Sequence, residues 1–306
     1  MQRYLMQRLL LSIPVVLGVT VIVFAILFLT PGDPIRAMVG ERASEARVQE
    51  IRAQFGLDRP WPVQYIRWLG RVLQGDLGIS IAAKRPVTQL IAEQLPFTLR
   101  LTLGAFAIGT LCGIGLGVLA AVKQNSWLDH LITYTSLFWF SMPGFWLGLM
   151  LMLVFGLWLR WTPISGYRGA SAMVLPALTM ALPQMGSIAR LVRNEMLEAL
   201  HEEYVKTAHA KGLHPLWIFY RHALRNALIP VTVLLFLSLP WLLGGAVVVE
   251  SIFAWPGVGR LMYQALTQKD FPVVQGLLLI IALSTVFANL LGDIATSLLD
   301  PRIEQV

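Results

Sequence analysis

The run Leu101–Val122, LTLGAFAIGTLCGIGLGVLAAV, contains no charged side chain. A helix rises 1.5 Å per residue, so about 20 apolar residues cross the roughly 30 Å hydrocarbon core of a membrane, and this run is long enough to do so. The whole chain of 306 residues is 56% hydrophobic and 13% charged, with a mean hydropathy of +0.66. A soluble domain usually carries about 25% charged residues. The composition therefore excludes a soluble protein.

Runs of this kind recur along the chain and predict an all-α, polytopic membrane protein with six transmembrane helices. The six runs are Leu9–Leu29, Leu101–Val122, Leu131–Leu159, Gly169–Ala189, Ala227–Val249 and Phe271–Gly292. The fourth run is the least apolar, and its Pro176 and Pro183 predict a kinked or broken helix. The first run follows Arg3 and Arg8 but exceeds the length of a signal-peptide core, so we interpret it as a retained anchor.

The distribution of Lys and Arg predicts the orientation. With the N-terminus inside, the inner side carries ten Lys and Arg, whereas the two short outer loops carry four. Inner loops of membrane proteins are enriched in these residues, which predicts that both termini are cytoplasmic. The expected organisation is an N-terminus and first transmembrane helix (1–29), an extracytoplasmic loop (30–97), and a five-helix transmembrane core (98–306) that includes a long cytoplasmic loop (190–226).

The extracytoplasmic loop has helical periodicity of its own. Apolar residues recur at helical spacing in Ser44–Gly56 after a serine N-cap, and in Pro62–Gln74 after a proline start. A turn is expected at Gly75–Gly78. We favour a cap that packs on the outer helix ends over a ligand-binding module.

The sequence lacks the motifs of several other function classes. Cys112 is the sole cysteine, no phosphate-binding P-loop occurs, and neither H-E-x-x-H nor G-x-S-x-G is present. No basic stripe interleaved with aromatic residues indicates nucleic-acid binding. The apolar runs contain no ionisable residue that could bind a coupling ion, and we expect Glu250, Asp270 and Asp293 to snorkel or cap at the ends of spans. Any energy for transport must come from another polypeptide.

The long cytoplasmic loop predicts two helices separated by a sharp turn. An apolar stripe continues out of the fourth span through Leu197, Leu200, Tyr204 and Ala208. Glu202 and Lys206 are spaced for a supporting ion pair. Gly212 suits the left-handed position after a helix, and Pro215 suits the first position of the next one. Ala208, Ala210 and Gly212 leave a corner with few side-chain atoms. Two alternatives remain open, a corner that inserts into a partner protein and a hairpin that packs only on its own spans.

Motifs throughout the chain resemble those of ABC-type importer permeases, and specifically the peptide/nickel branch. The resemblance lies in Pro31–Pro34, Phe55–Pro60, Gln74–Gly78, Ser126–Asp129, Glu203–Leu213, Arg221–Pro230, Val249–Gly257 and Asp300–Ile303. It implies the fold of a type I ABC importer permease. It also assigns ATPase coupling to six residues. These are Glu203, Tyr204, Thr207, Ala208, Lys211 and Gly212. Lys206, Thr207 and Ala208 stand where the general family signature has Glu-Ala-Ala, a departure typical of the branch.

The resemblance further implies a function and a set of partners. The chain would be the permease subunit of an ATP-driven importer of dipeptides or oligopeptides in a bacterial or archaeal cytoplasmic (inner) membrane. Its partners would be a second homologous permease, two cytoplasmic ATPases, an extracytoplasmic substrate-binding protein and membrane lipids, but no nucleic acid. It would not be an enzyme and would bind no cofactor or metal, since ATP and Mg would lie on the ATPases. Nickel, metal chelates, glutathione and opines remain alternative substrates, and a passive channel or facilitator is the alternative of another class.

The translocation path is expected where helices are interrupted, because irregular backbone at membrane depth is tolerated when it is buried or lines a water-filled cavity. Three proline-containing stretches meet this description. They are Ser141–Gly144, Pro183–Gly186 and Ser238–Trp241. The predicted path residues are Ser141, Met142, Pro143, Gln184, Ser238 and Trp241.

Overall fold

The computed structural model describes residues 2–29, 44–46, 48–49, 58–214, 217–244 and 246–299, and these are mostly helical. The α-helices in chain order are α1 (Gln2–Leu29), α2 (Trp61–Leu73), α3 (Val87–Val122), α4 (Trp127–Ser141), α5 (Gly144–Leu151), α6 (Val174–His201), α7 (Glu203–Ala210), α8 (Arg225–Gly244), α9 (Ala246–Ile252), α10 (Val258–Thr267) and α11 (Phe271–Leu299). Two π-helical turns, Met152–Trp158 and Ile218–Leu224, and a 3₁₀ turn, Ala170–Met173, lie between these helices.

Three helical stretches within the described residues are long and apolar enough to cross a membrane. They are Val87–Val122, Ala170–His201 and Phe271–Ile294. A fourth candidate is the pair Trp127–Ser141 and Gly144–Trp158, which is bent by 106°, and Leu10–Ile26 is a shorter apolar helix. The all-α membrane architecture is therefore confirmed, whereas the count of six transmembrane helices stays a prediction.

Prolines break the chain at one of the three predicted places. Between α4 and α5, Met142 and Pro143 have extended ψ angles of 131° and 127°. For Met142 the cause is the proline that follows it, since a residue that precedes proline is disfavoured in the helical region. The other two predicted interruptions were wrong. Pro183 lies inside α6 and Pro240 inside α8, both continuous helices. Packing against neighbouring helices lets a membrane helix retain its shape despite the hydrogen bond that proline removes.

One compact unit comprises residues 1–97 and 257–287. In it, α2 packs on α1 through aromatic rings: Phe24 lies 5.5 Å from Trp61, 5.6 Å from Tyr65 and 5.6 Å from Trp68 between ring centroids. The predicted helix Pro62–Gln74 is thereby confirmed as α2. Of the predicted helix Ser44–Gly56, residues 45–46 and 48–49 are helical, and 47 and 50–56 lie outside the described residues.

The turn after α2 forms as predicted, and a buried acid holds the loop that follows. Gly75 and Gly78 have φ of +81° and +87°. Asp270 is 2% exposed and accepts hydrogen bonds from the Ser80 hydroxyl at 2.5 Å and from the backbone N–H groups of Ile81 and Ala82 at 3.1 Å each. Asp270 therefore caps this loop, in line with the capping role expected of it.

The second compact unit comprises residues 98–256 and 288–306 and is organised around α6. Gly109, Gly113 and Gly117 of α3 face the α6 backbone at one-turn intervals. A Cβ on them would lie 3.0 Å from Ala181 O, 2.9 Å from Met185 O and 2.5 Å from Ala189 O, respectively. Small residues spaced in this way allow two membrane helices to approach closely. Only glycine fits this seam without moving the backbone of α6.

Candidate functional site

A cavity of about 620 Å³ lies beside α6 in the second unit. Its walls come from α3, α4, α6 and α8. The lining residues are Ala105, Phe106, Phe140, Met180, Pro183, Gln184, Ser187, Ile188, Leu234, Leu235 and Ser238. The volume lies within the roughly 300–1,000 Å³ of pockets that hold small molecules.

The structure brings two of the predicted path residues, Gln184 and Ser238, to this cavity. Ser141 ends α4, and Met142 and Pro143 form the break after it. None of the three lines the cavity, although the preceding Phe140 does. Trp241 lies in α8, and its side chain falls outside the described residues.

The cavity wall is apolar apart from three neutral polar side chains, Gln184, Ser187 and Ser238. The Gln184 amide donates to the Thr110 hydroxyl at 3.3 Å, and the Ser238 hydroxyl donates to Leu235 O at 2.8 Å. Both polar groups are thus partly satisfied within the chain. The lining offers a solute neutral contacts and no ion pair.

Arg190 is the cation nearest to this wall in sequence, one helical turn beyond Ser187 on α6. Its guanidinium carbon lies 4.5 Å from the centroid of the Phe140 ring, a cation–π arrangement. Its Nε is buried and has no hydrogen-bond partner among the described residues. In the predicted topology, residue 190 is the first of the cytoplasmic loop 190–226. Its position one helical turn beyond Ser187 was the signal that could have placed it beside the cavity-lining residues.

The hairpin that follows α6 contains the six predicted coupling residues. α6 ends at His201, Glu202 is extended with ψ 149°, and α7 begins at Glu203. This break shifts the buried face, so the predicted stripe through Tyr204 was wrong: Tyr204 is 36% exposed, and Val205 is buried instead.

Ala208 faces the interior of the hairpin rather than its surface. It is 5% exposed and forms a small cluster with Val205 and Ile218. The expected corner of three exposed small residues is therefore corrected to Ala210 and Gly212. Glu203, Thr207 and Lys211 are exposed beside them. We call this exposed set, Glu203, Thr207, Ala210, Lys211 and Gly212, the hairpin rim.

The turn at the end of α7 confirms the prediction for Gly212, which has φ +73°. The Leu213 N–H donates to Ala208 O at 3.3 Å, the bond that closes a Schellman motif. Pro215 lies outside the described residues. Lys206 pairs with Glu203 at 2.6 Å rather than with Glu202, because the break removes Glu202 from the helix.

Buried acids elsewhere in the second unit were not all expected. Glu250 was expected to snorkel or cap, but it is 0% exposed and accepts a hydrogen bond from the buried Thr98 hydroxyl at 2.6 Å. Asp129 is 1% exposed and pairs with Arg193 of α6. Among the residues that the structure describes, no group of three His, Cys, Asp or Glu could hold a metal ion.

Comparison with known proteins identifies the family. Residues 113–305 match the family described as binding-protein-dependent transport system inner membrane component, and residues 1–102 match the N-terminal region of such membrane components. The chain belongs to this family.

Relatives of the permease confirm the predicted branch. It is 39% identical over 315 residues to the oligopeptide transport system permease protein AppB of Bacillus subtilis (strain 168), covering 99% of this chain and 100% of that protein. It is also 39% identical over 303 residues to the glutathione transport system permease protein GsiC of Salmonella paratyphi A, covering 99% of each. The resemblance to ABC importer permeases of the peptide/nickel branch is therefore confirmed.

A solved structure confirms the fold of the permease. An inward-facing structure of the MetNI methionine ABC transporter matches with a TM-score of 0.57 at 20% identity, covering 69% of this chain and 97% of that one. The cavity, the hairpin and the buried acids thus belong to an inner-membrane permease component with this fold.

Proposed function

We propose that this permease imports peptides across the inner membrane, driven by ATP hydrolysis on two separate cytoplasmic subunits. Its full-length similarity to a protein named as an oligopeptide permease supports the substrate class. The glutathione permease relative agrees with it, since glutathione is a tripeptide. A second, homologous permease completes the membrane part, and an extracytoplasmic binding protein delivers the substrate.

One geometric observation carries the proposal: a single continuous helix connects the cavity to the hairpin. α6 lines the cavity with Pro183, Gln184 and Ser187, and it ends at His201, directly before α7. A force applied to the hairpin rim therefore reaches the cavity wall through a rigid element. An importer of this family requires such a connection between the cavity and the ATPases, because the substrate and the ATP bind to different polypeptides.

The cavity chemistry fits a carrier of many related peptides. Neutral amide and hydroxyl groups on an apolar wall form weak contacts, whereas a buried ion pair would hold one substrate tightly. Substrate selectivity then belongs mainly to the binding protein. The permease has to admit and release what it receives.

The transport cycle follows from this arrangement. ATP binding closes the two ATPases and draws the docked hairpin rims together, which turns the translocation path between the two permeases, with this cavity in its wall, from inward-facing to outward-facing. The binding protein releases its peptide into the cavity. Hydrolysis then separates the ATPases, and the cavity opens inward again.

Two measurements test the function and separate it from a passive facilitator. A tagged permease purified from its native membrane is expected to carry ATPase subunits, and peptide uptake is expected to stop when the catalytic glutamate of those ATPases is replaced. Uptake that continues at the wild-type rate without ATP hydrolysis would instead establish a facilitator.

The proposal places both termini and the hairpin in the cytoplasm, and it predicts a labelling pattern. In a Cys112→Ser background, Lys84→Cys lies in the exposed loop before α3 and Lys211→Cys lies on the hairpin rim. A membrane-impermeant maleimide is expected to label only Lys84→Cys in intact cells with a permeabilised outer envelope, and both after cell disruption. The reverse pattern in intact cells would overturn the orientation.

The cavity predicts a second labelling pattern. In the same background, Gln184→Cys and Ser238→Cys are expected to react with small polar thiol reagents, and the rate should change by several-fold between nucleotide-free and ATP-trapped importer. Val192→Cys is the matched control, since this residue of α6 is 0% exposed and does not line the cavity. No reaction at Gln184→Cys or Ser238→Cys in either state would remove the cavity from the path.

A further inference from the structure

A buried ion pair joins α4 and α6 between the hairpin and the cavity. Arg193 donates from Nε to Asp129 Oδ1 at 2.5 Å and from Nη2 to Asp129 Oδ2 at 2.8 Å. Two parallel bonds between one guanidinium and one carboxylate fix the direction as well as the distance of the pair. The Asp129 side chain is 1% exposed and that of Arg193 is 22% exposed.

The same carboxylate also holds the turn that precedes α4. The backbone N–H of Asn125, a residue with φ +62°, donates to Asp129 Oδ2 at 2.9 Å, and the Thr133 hydroxyl donates to Oδ1 at 3.4 Å. The Asp129 N–H donates in turn to the Ser126 hydroxyl, which caps the helix. Asp129 therefore ties the turn, the start of α4 and the side of α6 into one hydrogen-bonded group.

Thermodynamic stability is a poor explanation for this pair. Removing two charges from water costs about as much as their attraction returns, so apolar residues of the same volume would hold two helices together equally well. A bidentate pair adds geometric specificity, because α4 cannot slide along α6 or rotate against it without breaking both bonds.

One more close contact joins the same helices nearer the cavity. Gly186 of α6 lies so close to the Ser136 carbonyl of α4 that a Cβ would clash with it. Farther along, Phe140 of α4 and Pro183 of α6 line the cavity together. The ion pair thus lies at the hairpin end of the interface between α4 and α6, and the other end of this interface reaches the cavity wall.

We propose that Asp129 and Arg193 are positioning residues that lock α4 to α6, so that displacement of the hairpin moves both cavity-lining helices as one body. The lock rests on the proposed function, because the ATPases supply the displacement. With the lock intact, Phe140 follows Gln184 when α6 moves. Without it, α6 moves while Phe140 stays behind, and the cavity does not change its opening.

A distance measurement on the assembled importer tests the lock without disrupting it. Spin labels at Tyr134 of α4 and Asn194 of α6, both exposed, are attached in the Cys112→Ser background. In a separate sample, a second pair of labels at Lys211 and at Leu111 of α3 follows the hairpin. We expect ATP to change the Lys211–Leu111 distance and to leave the Tyr134–Asn194 distance unchanged.

A charge-free double variant tests the consequence for transport. Asp129→Asn combined with Arg193→Gln leaves no unpaired buried charge, so the permease is expected to reach the membrane at wild-type abundance and to retain its ATPases. Uptake is expected to fall roughly tenfold, a factor that corresponds to a typical coupling free energy between two sites. In this variant ATP is expected to change the Tyr134–Asn194 distance. Arg193→Lys keeps the positive charge but cannot donate the two parallel hydrogen bonds. Its uptake is expected to lie between that of the wild type and that of the double variant.

The control is the exposed ion pair Arg85–Glu93, whose side chains are 46% and 50% exposed. Arg85→Gln with Glu93→Gln is expected to change uptake by less than about twofold, as for surface pairs in general. A wild-type Tyr134–Asn194 distance that changes with ATP, or wild-type uptake by the Asp129→Asn, Arg193→Gln variant, would overturn the lock. A wild-type importer without bound ATPase, or with an unresponsive hairpin, would instead refute the proposed function on which the lock rests.

Discussion

Permease carrying Gly117→Leu is expected to be lost from the membrane. A Cβ at this position would lie 2.5 Å from Ala189 O and 2.6 Å from Val192 Cβ, so α3 and α6 must separate to accept any side chain. Overpacking a core costs about 1–3 kcal/mol even where side chains can adjust, and here a backbone carbonyl stands in the way. Quantitative immunoblotting of membranes, together with the melting temperature of the purified importer, measures the effect.

Gly115→Leu is the matched control, because a Cβ on this neighbouring glycine of α3 meets no atom within 4 Å in the chain. It is expected to leave the abundance of the permease unchanged. If Gly117→Leu and Gly115→Leu behave alike, the close packing of α3 on α6 described above is wrong.

The second large effect is expected at the hairpin rim, where Ala210→Glu should abolish uptake in permease of normal abundance. Ala210 is exposed, so the glutamate leaves the hairpin folded and adds charge and volume to the surface that we propose docks the ATPase. Gly212→Val should act in the same direction. At φ +73° a β-branched residue is strained by roughly 1–2 kcal/mol, which favours a distorted turn.

Two control variants accompany the rim variants. Ala208→Glu places a charge in the cluster with Val205 and Ile218, so it is expected to lower the abundance or the ATPase content of the importer by unfolding the hairpin. Lys206→Ala removes an ion pair whose side chains are 64% and 84% exposed, and it should reduce uptake only slightly. Full uptake by both Ala210→Glu and Gly212→Val at normal abundance would leave the hairpin as a structural extension of α6.

Features that depend on neighbouring residues could be predicted from the sequence. The apolar runs predicted the long helices, and helical periodicity predicted α2. The positive φ of Gly212 was predicted because a helix often ends with a glycine in the left-handed conformation. Gln184 and Ser238 were chosen because helix interruptions were expected beside them; they line the cavity although their helices are continuous. The resemblance in motifs indicated the family, because hydrophobic periodicity predicts helices but does not identify a family.

Features that depend on distant residues could not be predicted in this way. Asp129 and Arg193 are far apart in the chain and meet only after α4 packs on α6. The break at Glu202 was missed because apolar residues continue at helical spacing on both sides of it, and so Tyr204 was assigned to the buried stripe. The glycines at 109, 113 and 117 did offer a signal, since small residues at four-residue intervals indicate close helix packing.

Photocrosslinking from the hairpin rim tests the central claim, that this surface receives the force of the ATPases. A photoreactive amino acid is placed at Thr207, Ala210 or Lys211 on the rim, and at Tyr134 on α4 as the control, in permease assembled with its native partners. The account predicts adducts with the ATPase from the rim positions, altered in yield by ATP, and none from Tyr134. Rim positions that yield no ATPase adduct in an importer that is assembled and transporting would contradict it.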